Sequence, residues 1–162
     1  MSNLTLNSGQ LKGQADMAQV FNAWGCVGDN RSPHLSWTGV PEGTKSFAIT
    51  LFDPDAPTGS GWWHWLAFDI PASVCELPEN AGNPESGILP AGVVQSLNDY
   101  KQLGYGGPCP PEGHGIHQYI FTLYALDVAS LGLTADTNPA VVGFNLHVHT
   151  IQKASLVMYH KR

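Results

Sequence analysis

Two stretches of the chain alternate between apolar and polar side chains with the period of a β-strand. From Ser46 to Asp53, the residues Phe47, Ile49, Leu51 and Asp53 fall on one face. From His117 to Leu126, His117, Tyr119, Phe121, Leu123 and Ala125 do the same. A third run, Trp63 to Ile70, is rich in aromatic and β-branched residues and reads as another strand. The link from Pro54 to Trp62 is short and full of Pro and Gly. It suits an antiparallel pair and is too short for a usual parallel crossover. Briefer strands are expected at residues 4–7, Pro33–Trp37, Val93–Leu97 and Ser155–Tyr159, with loops over 10–32, 71–92 and 105–115. Near the tail, Asn138 suits an N-cap and Pro139 the first helical position. Phe144, Val148 and Ile151 then recur at i, i+4 and i+7, which predicts a helix burying that stripe.

The pattern describes one mostly β domain over residues 1–162, a length that suits a single core. The 18 Gly and 12 Pro are spread along the chain, as many turns between short strands require. Charged residues make up 12% of the chain, well below the ~25% of ordinary soluble proteins, so a homodimer is expected. The net charge of −6, with no Lys/Arg cluster, argues against nucleic acid and anionic membrane surfaces as partners. No run of about 18 apolar residues is present to span a bilayer. Met1 to Thr5 lacks the basic-then-apolar pattern of a secretion signal, so the expected location is cytoplasmic. Cys26, Cys75 and Cys109 show no CxxC spacing, which disfavours zinc. Three reduced thiols are the plain expectation. A Cys26–Cys109 bridge between two Gly-rich loops is the alternative.

Candidate chemistry follows from the strand ends. Asp53 closes one strand, His64 opens the next, and His117 and Tyr119 open a third. If all three pair antiparallel, these groups meet at one edge of the sheet. A carboxylate beside an imidazole favours the imidazolium. Imidazolium and a Tyr hydroxyl can both donate to a phosphate or carboxylate. Backbone N–H groups of Tyr105 to Gly107 would add donors. Two carboxylates, Asp53 and Asp55, would otherwise repel an anion, so at least one is expected to be tied to His or to backbone donors. The same residues admit other readings. One is acid–base catalysis by a hydrolase-like enzyme, although no GxSxG is present and Thr58 and Ser60 lie in a generic loop. The other is a divalent metal held by Asp53, Asp55, His64 and His117. His114 attracts no role at this stage.

Three blocks of sequence are specific when taken together: Asp53-Pro54-Asp55-Ala56-Pro57, Gly61-Trp62-Trp63-His64-Trp65, and the run from Tyr105-Gly106-Gly107-Pro108-Cys109-Pro110-Pro111 to His117-Gln118-Tyr119. They resemble the phosphatidylethanolamine-binding protein family, most closely its bacterial, Raf-kinase-inhibitor-like branch. The resemblance runs over nearly the whole chain. It implies a large central antiparallel sheet packed on a smaller one, with few peripheral helices. It also implies cis peptide bonds near the prolines and a pocket for phosphate or phosphoryl headgroups. The ligand-binding residues so implied are Asp53, Asp55, His64, Gly107, Cys109, Pro110, His117 and Tyr119, with no catalytic residue, metal or cofactor. The expected role is a non-enzymatic regulator or inhibitor of a partner kinase or protease. In animal members a glycine stands where this chain has Cys109, which changes the donor geometry of that loop.

Overall fold

The computed structural model describes residues 3–162. Five strands form the main sheet in the order β6-β4-β3-β7-β8. The central strand is β3, Ser46–Asp53, flanked by β4, Trp62–Pro71, and β7, His117–Leu126. The edges are β6, Val94–Gln95, and β8, Thr150–His160. All four pairings are antiparallel. A small three-stranded sheet, β1-β2-β5, is built from Thr5–Asn7, Leu35–Thr38 and Glu76–Leu77.

The strong strands coincide with the alternating runs, and both faces of the main sheet are covered. One face carries Phe47, Ile49, Leu51, Phe121 and Leu123 against Leu6, Leu35 and Trp37 of the small sheet. The other carries Ala48, Leu66 and Phe68 against Val142 and Leu146 of the helix. Removing this much apolar surface from water is the dominant stabilising term.

The helix, α1, spans Pro139–His149. The Asn138 side chain accepts from the Val141 N–H at 3.1 Å, as expected of an N-cap. The buried stripe, however, is Val142 and Leu146 rather than Phe144 and Val148, which are 66% and 56% exposed. Both stripes are apolar, so periodicity alone does not choose between them. Val142 and Leu146 pack with Leu66, Phe68 and Leu126, and Trp63 stands beside Gly143 at ordinary contact distance. Ile151 is not helical at all; it belongs to β8, which begins at Thr150 and is longer than expected.

Two further corrections concern the loops. No peptide bond among the described residues is cis. The turns are made instead by residues in the left-handed region, such as Gly61 at φ 67° and Gly104 at φ 81°. The 10–32 segment is loop, but it adds a parallel bridge to the outer edge of β8 through Gln14 and Tyr159.

Candidate functional site

The core face of β3 and β7 continues past its apolar residues into polar ones. Leu51 is followed on that face by Asp53, and Phe121 is preceded by Tyr119 and His117. The antiparallel pairing of β3 with β7 brings these ends together at one rim. His64 reaches the same rim through a bulge. Leu51 pairs with Trp65 and Phe52 with Trp63, so His64 is the extra residue between them. A bulge re-aims the side chain it carries.

Asp53, His64, His117 and Tyr119 are 3%, 2%, 1% and 1% exposed, and all line a cavity of about 210 Å³. Its walls are Trp24, Trp62 and Tyr100 together with Pro57 and the Cys109-Pro110-Pro111 segment. The aromatic wall is held by edge contacts, Trp24 to Tyr100 at 4.9 Å and Trp62 to Tyr100 at 5.4 Å.

Both carboxylates are tied to neighbouring groups of the protein, where at least one is expected to be. Asp53 Oδ2 lies 2.7 Å from His117 Nδ1, and Asp53 Oδ1 accepts from the Asp55 N–H at 2.8 Å. The Asp55 carboxylate does not line the cavity. It accepts from the Gln118 N–H at 2.7 Å and so ties the β3 end to the start of β7.

His64 Nδ1 lies 2.7 Å from the Gly106 carbonyl. A carbonyl only accepts, so Nδ1 carries the hydrogen and Nε2 is left as the acceptor of a neutral ring. Burial pushes the His64 pKa down to about 4, outweighing the Gly106 hydrogen bond and the nearby Asp53 charge, which favour protonation. His64 is therefore a neutral imidazole at pH 7 and does not supply the imidazolium that a carboxylate–imidazole cluster favours. Burial raises the Tyr119 pKa well above its ordinary value, and the Asp53 charge adds to this, so the phenol keeps its proton.

The loop donors differ from expectation. The Tyr105 N–H bonds to Gly82 O, Gly106 N–H to His64 O, and Gly107 N–H to the Asn30 side chain. None of the three is available to a ligand. Gly107 does not line the cavity either. It is a packing glycine, because a Cβ there would stand 2.0 Å from the Gln19 carbonyl. Gly107→Ala should lower stability by about 1–3 kcal/mol, read as a reduced urea midpoint, since the neighbour is backbone and cannot move aside. An unchanged midpoint would show that the 19–21 segment yields.

The sequence reading missed one feature. His114 Nδ1 lies 2.6 Å from His117 Nε2, extending the Asp53–His117 pair into a chain of three groups that ends at an exposed imidazole. Both ring nitrogens of His117 are thus engaged by protein. The GHGIH spacing was the available signal. Cys26 and Cys109 form a disulfide, which resolves the open choice between thiols and a bridge. Arg162 Nη1 lies 3.2 and 3.4 Å from the two sulfurs. The bridge fixes the Cys109 wall against the loop that carries Trp24. Cys75 is a free, exposed thiol. Among the described residues, no group of three His, Cys, Asp or Glu side chains has the arrangement of a metal site.

The comparisons agree with this geometry. The phosphatidylethanolamine-binding protein family profile matches residues 8–161. The UPF0098 protein YbcL of Escherichia coli K12 is 48% identical over 143 residues, covering 88% of this chain and 78% of YbcL. The UPF0098 protein YbhB of the same organism is 49% identical over 139 residues, covering 85% of each chain. The crystal structure of E. coli YbcL, described as a new member of the mammalian PEBP family, superposes with a TM-score of 0.96 at 42% identity over 99% of both chains. A homologue from Chlamydia trachomatis superposes with a TM-score of 0.80 at 27% identity, covering 100% of this chain and 99% of that one. With its two antiparallel sheets, its rim of Asp, His and Tyr side chains and a profile match over nearly its full length, the chain belongs to the phosphatidylethanolamine-binding protein family.

Proposed function

We propose that this protein binds small oxyanions in the rim cavity, as phosphate or as the phosphoryl or carboxyl group of a larger molecule. The observation that carries this reading is the state of the polar atoms at the cavity. The Asp53 carboxylate is already tied to His117 and to a backbone N–H, while the Tyr119 hydroxyl has no partner among the described residues. In a buried setting, an unpaired hydroxyl calls for a ligand or water. At about 210 Å³ the cavity is smaller than the ~300–1,000 Å³ clefts that take drug-sized molecules, so it suits one anionic group with a small apolar attachment.

Binding without turnover is the reading we favour. The Thr58 hydroxyl at the cavity wall donates to the Gly61 carbonyl, and among the described residues no serine lines the cavity with the Asp53–His117 pair to act as a nucleophile. Occupancy would then regulate a protein partner such as a kinase or protease, the anion being free or carried on the partner. Self-association would use the exposed stripe of Val141, Phe144 and Val148 on α1. The disulfide favours an oxidising compartment over the cytoplasm, since such bridges are rare where thiols are kept reduced.

Calorimetry with inorganic phosphate tests the reading. Tyr119→Phe should weaken binding roughly ten- to hundredfold, the worth of about one hydrogen bond to a charged group. Equal affinity in the variant would remove Tyr119 from the site, and absence of heat with the unaltered protein would remove the site itself.

A further inference from the structure

The donor and acceptor inventory of the cavity goes one step beyond anion binding, and it rests on that reading. His117 offers nothing, because Asp53 engages one ring nitrogen and His114 the other. The N–H groups of residues 105–107 are engaged within the protein, and Pro108, Pro110 and Pro111 have none. Tyr119 presents an O–H, the Cys109 N–H has no acceptor among the described residues, and the Nε1–H of the wall residue Trp62 is buried without an acceptor. His64 presents only Nε2, whose lone pair is set by the Gly106 carbonyl on the opposite side of the ring. Nε2 too lacks a protein partner among the described residues, and the ring is 2% exposed. A ligand there must accept hydrogen bonds and also donate one.

We infer that the cavity selects oxyanions that still carry a proton, namely monoanionic inorganic phosphate and phosphomonoesters, over sulfate and phosphodiesters, with the P–OH donating to His64 Nε2. Sulfate and a diester have no such hydrogen. They would set an oxygen lone pair against the Nε2 lone pair in a buried site, the arrangement that gives sites built to hydrogen-bond a hydroxyl their discrimination. The charged and titratable groups around His64 leave this logic intact. Asp53 and His117 lie near it and are bonded to each other, and Tyr100 and Tyr119 contact the ring by their edges and hold their protons. A phosphomonoester ionises a second time near pH ~6, so around that pH both of its forms are present.

Calorimetric titrations at pH 6 with inorganic phosphate, sulfate, methyl phosphate and dimethyl phosphate decide the matter. Phosphate and methyl phosphate should bind at least ~10-fold tighter than sulfate and dimethyl phosphate. His64→Gln supplies an amide that both donates and accepts, and should bring phosphate and sulfate to within about threefold of each other. Near pH 4, where the His64 ring gains its proton, sulfate should also gain on phosphate in the unaltered protein. Equal binding of phosphate and sulfate at pH 6 would overturn the selection while leaving the anion site standing. Binding of none of the four would overturn both. The comparison in the unaltered protein does not depend on the variant folding.

Discussion

Acidification from pH 7 to pH 4 should remove about 3 kcal/mol of stability through His64 alone. The native ring resists protonation, with its pKa pushed down to about 4, whereas in the unfolded chain it takes a proton near 6.5. The unfolded state therefore binds more protons between those values. The contribution is fully present above pH 6.5 and is lost as pH falls through the native pKa. The size follows from a separation of about 2.5 pH units at about 1.4 kcal/mol each. Urea unfolding of the parent and His64→Gln at pH 7, 5.5 and 4 isolates this contribution, because the other titrating groups are common to both. The parent's free energy of unfolding should fall relative to the variant's by about that amount across the series. Parallel curves would show that His64 is protonated in the native state, and would remove the basis for treating Nε2 as an acceptor.

The second large effect belongs to the Cys26–Cys109 bridge. It closes a loop across a sequence separation of 83 residues. On the chain-entropy argument, a loop of that length restricts the unfolded chain by about 4.5 kcal/mol, and measured values commonly fall nearer 2–4. Replacing both residues by Ser should reduce the free energy of urea unfolding by an amount in that range. The double variant avoids leaving a lone thiol beside Arg162. The loss should also reach the cavity, because Cys109 and Pro110 form its wall and Trp24, two residues before Cys26, forms its lip. Coincident unfolding curves would mean that packing of the aromatic cluster already holds the two loops.

The central strands were legible because each has a continuous alternating pattern whose apolar face ends in a polar residue. Ser46–Asp53 and His117–Leu126 match their expected limits. From them the convergence of Asp53, His117 and Tyr119 follows by antiparallel pairing, while His64 joins them through a bulge. The misreadings have physical causes. Glu76–Leu77 is too short to carry a period. The stripe buried by α1 depended on packing with Leu66, Phe68 and Leu126, which no helical repeat encodes. The neutrality of His64 was not legible because proximity to Asp53 is visible in a strand-pairing argument while complete desolvation is not. Gly107 was assigned to ligand approach because glycine permits it, but here the approaching atoms are those of residues 19–21. Asp55 was placed with Asp53 by adjacency, and its carboxylate instead holds the start of β7.

His64, His117 and Tyr119 ride on β4 and β7, and Asp53 on the central strand between them. Amides in these strands should exchange with deuterium only when the whole molecule unfolds. The cavity floor therefore has no independent opening and is shaped before any ligand arrives. Variation among relatives that keeps the fold would then concentrate in the 54–61 and 108–115 rim segments, and new specificities would arise there while the floor stays constant.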